Sequence, residues 1–150
     1  MRRCRYYTGT PEFEFGDGLS YTSFDLQFDS EPATSLSLDT DSGTHFNVSV
    51  TNSGERHGAV TVLAFWRPVG HHAPLRQKLF AFDGLTLGAG DVGLLSFHLP
   101  TEKLAIADAS GDRYVNAGGY EVFFKAGSGQ QLAAELAVEG APRLVERSML

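Results

Sequence analysis

Phe13-Glu14-Phe15-Gly16-Asp17-Gly18-Leu19-Ser20-Tyr21-Thr22-Ser23-Phe24-Asp25-Leu26-Gln27-Phe28 is the stretch on which this chain changes character. Before it lies a short basic and aromatic leader, Met1-Arg2-Arg3-Cys4-Arg5-Tyr6-Tyr7. In its middle Gly16 and Gly18 flank Asp17, so the backbone turns there without a Cβ penalty. Beyond Tyr21 the pattern has a period of two: Phe24, Leu26 and Phe28 share one side, Ser23, Asp25 and Gln27 the other. That is the pattern of a half-buried strand. Phe13, Phe15, Tyr21 and Phe24 are too densely aromatic for a solvated linker. They read either as an anchor for the first strand or as a hinge that packs on a neighbouring domain.

Outward from this stretch the same period recurs. Residues 29–43 are polar and turn-rich, with Leu36 and Leu38 marking a short edge strand. Phe46, Val48 and Val50 alternate with Asn47, Ser49 and Thr51, and 52–58 is a turn rich in Asn, Ser and Gly. The segment 59–67 is apolar on both faces, as in a central strand covered on each side. Leu63 and Phe65 form its second apolar face, which predicts that something beyond the sandwich core packs there. A strand over 77–82 reaches Asp83-Gly84, and Leu87-Gly88-Ala89-Gly90-Asp91 turns into 92–99, where Leu95, Phe97 and Leu99 share a face. After the turn at 108–112, residues 120–126 alternate again. The tail 132–139 has helix-forming composition but also alternates, and is read as a last strand. Seven to eight short strands spaced by turns predict an all-β, immunoglobulin/fibronectin type III-like antiparallel sandwich.

Composition agrees. An apolar fraction of 42% suits a folded domain with a real core, and 17 glycines with six prolines favour many short elements over long helices. The net charge of −6 offers no basic footprint for nucleic acid or for an anionic membrane surface. Cys4 is the only cysteine, so there is no intrachain disulfide and no cysteine metal cluster. No apolar run follows the basic leader, so no signal peptide is expected, and the beginning reads as cut from something longer.

Nothing in the chain has the spacing of a catalytic or cofactor site. His71 and His72 are adjacent on a loop and point apart, and with His45 and His57 they lack a third ligand at metal-site spacing, so no metal is expected. Asp108-Ala109-Ser110-Gly111-Asp112 lacks the Gly and Glu positions of a calcium loop and reads as a β-turn. There is no Gly-x-Ser-x-Gly elbow and no phosphate cradle. Asn47-Val48-Ser49 is a glycosylation sequon, with Asn47 on the polar side of its strand.

Phe15-Gly16-Asp17-Gly18-Leu19-Ser20-Tyr21-Thr22-Ser23-Phe24 resembles the Phe-Gly-x-Gly-Leu-Ser-Tyr-Thr-x-Phe junction of glycoside hydrolase family 3, the β-glucosidases and β-xylosidases. There it introduces a C-terminal fibronectin type III-like domain. Val50-Thr51-Asn52-Ser53-Gly54, Phe65-Trp66-Arg67-Pro68, Gln77-Lys78-Leu79, Leu87-Gly88-Ala89-Gly90-Asp91 and Gly118-Gly119-Tyr120-Glu121-Val122 resemble the family's later motifs, in order. The middle ones lean towards its β-xylosidase branch. Asp17 departs from the Tyr or His common at its position, and Glu12 and Glu14 add charge beside the junction.

The resemblance implies that residues 1–19 are the end of a preceding domain plus the junction, and that 20–150 is the fibronectin type III-like domain. Retaining glycosidases need two carboxylates about 5 Å apart. In this family both lie in earlier domains, so no residue here inherits a catalytic role and no cofactor is implied. The implied role is a non-catalytic accessory domain that packs on the catalytic domains, in cis or in trans, through Phe13, Phe15, Tyr21, Leu63 and Phe65. Family membership implies an extracellular or secreted setting. A free-standing β-sandwich module that binds polysaccharide or protein is the alternative from another class.

Overall fold

A computed structural model describes residues 20–70, 77–127 and 130–149. Among them, in chain order, are strands β1 (Phe24–Phe28), β2 (Ser35–Ser37), β3 (Gly43–Asn52), β4 (Gly58–Pro68), β5 (Lys78–Leu87) and β6 (Val92–Pro100). A single 3-10 turn, Thr101–Leu104, leads to β7 (Ile106–Ala107), β8 (Arg113–Val115), β9 (Gly118–Ala126), β10 (Gln131–Glu139) and β11 (Arg143–Glu146). The strands β1-β3-β6 make one antiparallel sheet, and β2-β10-β9-β4-β5 make the other. A third, small sheet, β11-β8-β7, joins short strands only. The all-β antiparallel sandwich is therefore present, with eight strands in its two layers.

Alternation in sequence becomes burial on one face. Leu26, Phe46, Val48, Val50, Leu95, Phe97 and Leu99 line the inner side of the three-stranded sheet and are buried. From the other sheet Val62, Ala64, Trp66, Val122, Phe124, Leu136 and Val138 meet them in one continuous core. The centre of that core is Phe124. Its ring contacts Phe28 of β1 edge-on at 5.9 Å, Phe46 of β3 at 5.7 Å and Phe97 of β6 at 5.3 Å. One side chain of the five-stranded sheet thus touches every strand of the opposite sheet, and aromatic pairs at such distances add to the burial itself.

Asn52, at the end of β3, is fully buried and polar. Its Oδ1 accepts from the Thr22 hydroxyl (2.7 Å) and the Gly54 N–H (3.1 Å). Its Nδ2 donates to the carbonyls of Arg56 (2.7 Å) and Leu87 (3.0 Å). Its backbone N–H donates to the Asp91 carbonyl, and its carbonyl accepts from Gly90 N–H, both at 2.9 Å. Four segments, the approach to β1, the 52–58 turn, the end of β5 and the β5–β6 turn, are thereby tied to one residue, the last through its backbone. The β5–β6 turn needs glycine at Gly90, where φ is +79°. A Cβ on Gly54 would run into Thr22.

At the entry to β9, the buried Tyr120 donates its hydroxyl proton to the Asn116 carbonyl at 2.7 Å. This is the tyrosine-corner geometry of immunoglobulin-like sandwiches, a Tyr bonded to backbone a few residues upstream. Burial raises the Tyr120 phenol above its usual value.

Three sequence expectations need correction. The strand beginning near 77 does not stop at Asp83-Gly84. β5 continues to Leu87, with Asp83 opposite Val62 and Gly84 opposite Thr61, because an edge strand tolerates exposed turn-forming residues. The segment 132–139 is a strand but not the last, since β11 follows and pairs with β8. β2 is an edge strand as expected, yet it runs parallel to β10, Leu36 beside Val138.

Phe124→Ala is expected to lower stability by about 3–5 kcal/mol, the range for removing a buried aromatic ring. Urea denaturation midpoints measure it, and Phe124→Leu falls between the two. At Asn52 an Asp replacement puts acceptor oxygens against the Arg56 and Leu87 carbonyls. Asn52→Asp should cost more than about 3 kcal/mol, whereas Thr22→Val, which removes one partner, costs about 1 kcal/mol.

Candidate docking face

β4 lies between β5 and β9 and presents two apolar sides. Val60, Val62, Ala64 and Trp66 enter the core, while Leu63, Phe65 and Arg67 alternate onto the outer face. The outer face is built by register. Phe65 stands opposite Phe123 of β9 and opposite Leu79 of β5. Leu63 stands opposite Lys125 and Phe82. The Phe65 and Phe123 rings stack at 5.1 Å with 13° between planes. Next along the strands, Arg67 and Glu121 oppose one another and join through both guanidinium and both carboxylate edges at 2.9–3.1 Å. The same guanidinium carbon is 5.3 Å from the centre of the Phe123 ring, within cation–π range. The bidentate fork holds the Arg67 guanidinium beside the Phe123 ring.

Burial divides this face. Phe65 and Phe123 are only 2% and 3% exposed, although neither belongs to the core between the sheets. Phe82 is 68% exposed and Leu79 borders on exposed, and Leu63 is half-buried. The apolar outer surface that remains open therefore centres on Phe82, which the sequence patterning did not single out. A bulge at β5 separates the pairings of Ala64 and Phe65, so Phe80 and Ala81 pack towards the core while Phe82 turns outward.

Of the residues that the sequence points to for docking, Leu63 and Phe65 share this face. Tyr21 does not lie among them: it is 93% exposed at the approach to β1, next to the Thr22 that binds Asn52. Phe13 and Phe15 lie outside the described residues, as do His71 and His72. Asn47 is exposed in mid-β3, opposite Ser96, with its amide 3.4 Å from the Ser30 hydroxyl. Asp108 closes the expected turn by accepting from the Ser110 and Asp112 N–H groups. Among the described residues no group of three or more His, Cys, Asp or Glu is placed to hold a metal ion. Nor is any described helix long and apolar enough to cross a membrane.

Two stacked sheets, antiparallel but for the β2–β10 pair, with a tyrosine corner make this an immunoglobulin-like sandwich domain, and comparison with known proteins gives its lineage. No protein-family model matches the chain. An exo-1,4-β-xylosidase of Emericella nidulans is 32% identical over 133 residues, covering 78% of this chain and 17% of the enzyme. Beta-D-xylosidase 3 of Arabidopsis thaliana is 31% identical over 145 residues, covering 78% of this chain and 19% of the enzyme. Among solved structures, a family GH3 exo-β-xylosidase bound to a xylobiose aziridine probe superposes with TM-score 0.80 and 26% identity, over 95% of this chain and 21% of that one. A β-glucosidase of Listeria innocua in complex with glucose superposes with TM-score 0.77 and 25% identity, over 87% and 18%. The chain belongs to the glycoside hydrolase family 3 lineage of β-xylosidases and β-glucosidases, as their C-terminal fibronectin type III-like domain. It spans about a fifth of the length of the relatives it matches.

The division of the outer face has a direct check. Phe82→Ser should shift the denaturation midpoint of the isolated chain by less than about 0.5 kcal/mol, as for other exposed positions. Phe65→Ala, which removes a buried and stacked ring, should cost about 3 kcal/mol or more.

Proposed function

We propose that this chain is a non-catalytic accessory domain that packs on the catalytic domains of a family 3 β-xylosidase or β-glucosidase and stabilises them. The observation that carries the proposal is the outer face of the five-stranded sheet. A solitary sandwich of this kind keeps that side wet and polar, whereas here Leu63, Leu79 and Phe82 extend an apolar surface beyond the buried Phe65–Phe123 pair. Supporting it is the arithmetic of length: the relatives carry four-fifths of their chain outside the matched segment. The carboxylate pair that retaining hydrolysis requires is assigned to that remainder. The leading aromatics Phe13 and Phe15, with Tyr21, would extend the contact from the junction side.

Packing through such a surface is stabilisation by linkage. A partner that binds the folded domain, and is itself held by it, raises the unfolding free energy of both. Xylan-type or β-glucan-type substrate would be met by the whole enzyme. Within this domain Trp66 is fully buried, which removes it from any sugar-stacking platform.

The test uses the chain alone and in context. Alone, it should hydrolyse neither an aryl β-xyloside nor an aryl β-glucoside, and should pass through insoluble xylan and cellulose unretained. In context, it replaces the matching segment of the Emericella nidulans β-xylosidase. There Phe82→Ser should shorten the half-life of activity at elevated temperature severalfold, while leaving the isolated chain unchanged. Turnover by the purified chain overturns the proposal, retention on xylan favours a free-standing carbohydrate-binding module, and a chimera indifferent to Phe82→Ser removes the docking face.

A further inference from the structure

The outer face of the other sheet carries a separate feature. His45 of β3 and His98 of β6 are directly opposed in the antiparallel register. Both are exposed, and their rings lie 4.3 Å apart between centroids at 62°. Opposed residues on one face of an antiparallel pair have their Cβ atoms within about 5 Å, so the sheet brings the roots of the two side chains together. The backbone leaves room for the arrangement at Gly43, where a Cβ would come within 3.0 Å of the His98 ring and within 2.6 Å of the Leu99 carbonyl.

We propose that His45 and His98 form a two-histidine chelating site for a first-row divalent metal ion of the copper, nickel or zinc group. Imidazole nitrogens bind such ions at about 2.0–2.1 Å. Two rings bound at right angles to one another about the metal then have their centres about 4.5 Å apart, and two at the wider tetrahedral angle about 5.2 Å apart. The observed 4.3 Å between ring centres keeps both imidazoles within reach of one shared ion. The general order of affinities favours Cu²⁺ over both Ni²⁺ and Zn²⁺. Among the described residues no third protein ligand joins the pair, so water completes the shell. The site exists only when β3 and β6 are paired, so a bound ion clamps the two strands and stabilises the folded state.

The experiment is calorimetric titration of the full chain with Ni²⁺ in a non-coordinating buffer. One ion per chain is expected. His45→Asn and His98→Asn should each weaken binding by about tenfold or more, because each removes one arm of a chelate. A variant with Asn at His57, His71 and His72 together should bind as the parent does, which separates this pair from the other imidazoles. Denaturation midpoints without metal should be alike for parent and single variants, since both rings are exposed, and Ni²⁺ should raise the midpoint of the parent only. The proposal is overturned if millimolar Ni²⁺ gives no binding, if the two single variants bind like the parent, or if the triple variant loses the ion.

Discussion

The packing of Phe124 against Phe28, Phe46 and Phe97 is the constraint from which the rest of this structure follows. Hydrogen bonds hold each sheet together internally, but only side chains hold one sheet to the other, and this ring reaches all three strands of the facing layer. Its place in β9 fixes the alternation of that strand: with Phe124 inward, Phe123 must point outward. β4 pairs with β9 in a register that sets Phe65 opposite Phe123. The inner core and the outer aromatic stack are therefore consequences of the same pleat. A one-residue slip would exchange them.

Asn52 performs at one end of the sandwich what Phe124 performs in the middle. A buried amide with every donor and acceptor matched is costly to disturb, because partners such as the buried Leu87 carbonyl lose their bond to it. It locks the 52–58 turn to the β5–β6 turn and so holds the register of β4 against β5. The Val-x-Asn-x-Gly pattern acquires a physical meaning here. The Asn is the buried hub, and the Gly is small because Thr22 approaches it so closely.

The strands were legible wherever one side meets the core and the other meets water. β1, β3 and β6 show this plainly, and Phe46-Asn47-Val48-Ser49-Val50 is the clearest case. What failed was chemistry that depends on a partner strand. Asp83-Gly84 has the composition of a turn, and only the pairing with Thr61 and Val62 makes it strand. The parallel contact of β2 with β10 joins segments from opposite ends of the chain, beyond the reach of local pattern. His45 and His98 look unrelated in sequence for the same reason. Of the outer face, Leu63 and Phe65 were legible because β4 is apolar in both phases, but burial of Phe65 and exposure of Phe82 required the β5 bulge.

The two outer faces have different physical characters, and this separates what each can do. On the five-stranded sheet, apolar side chains continue across β5, β4 and β9, bounded by the Arg67–Glu121 pair. An ion pair that remains partly solvated contributes little energy by itself, but at the border of an apolar patch it fixes orientation and discourages alternative partners. On the three-stranded sheet, β3 presents His45, Asn47, Ser49 and Thr51, while β6 places the exposed Val92 and Leu94 opposite Thr51 and Ser49 and sets His98 opposite His45. Its polar end, around His45 and His98 and away from Val92 and Leu94, gains little from burial against a protein. It suits small ligands held by a few directed bonds, and the opposed imidazoles supply two. A domain leaning on a larger enzyme through the Leu63–Phe82 side would leave the histidine end of the other sheet facing solvent, so that packing and metal capture would act on opposite faces of one sandwich without competing.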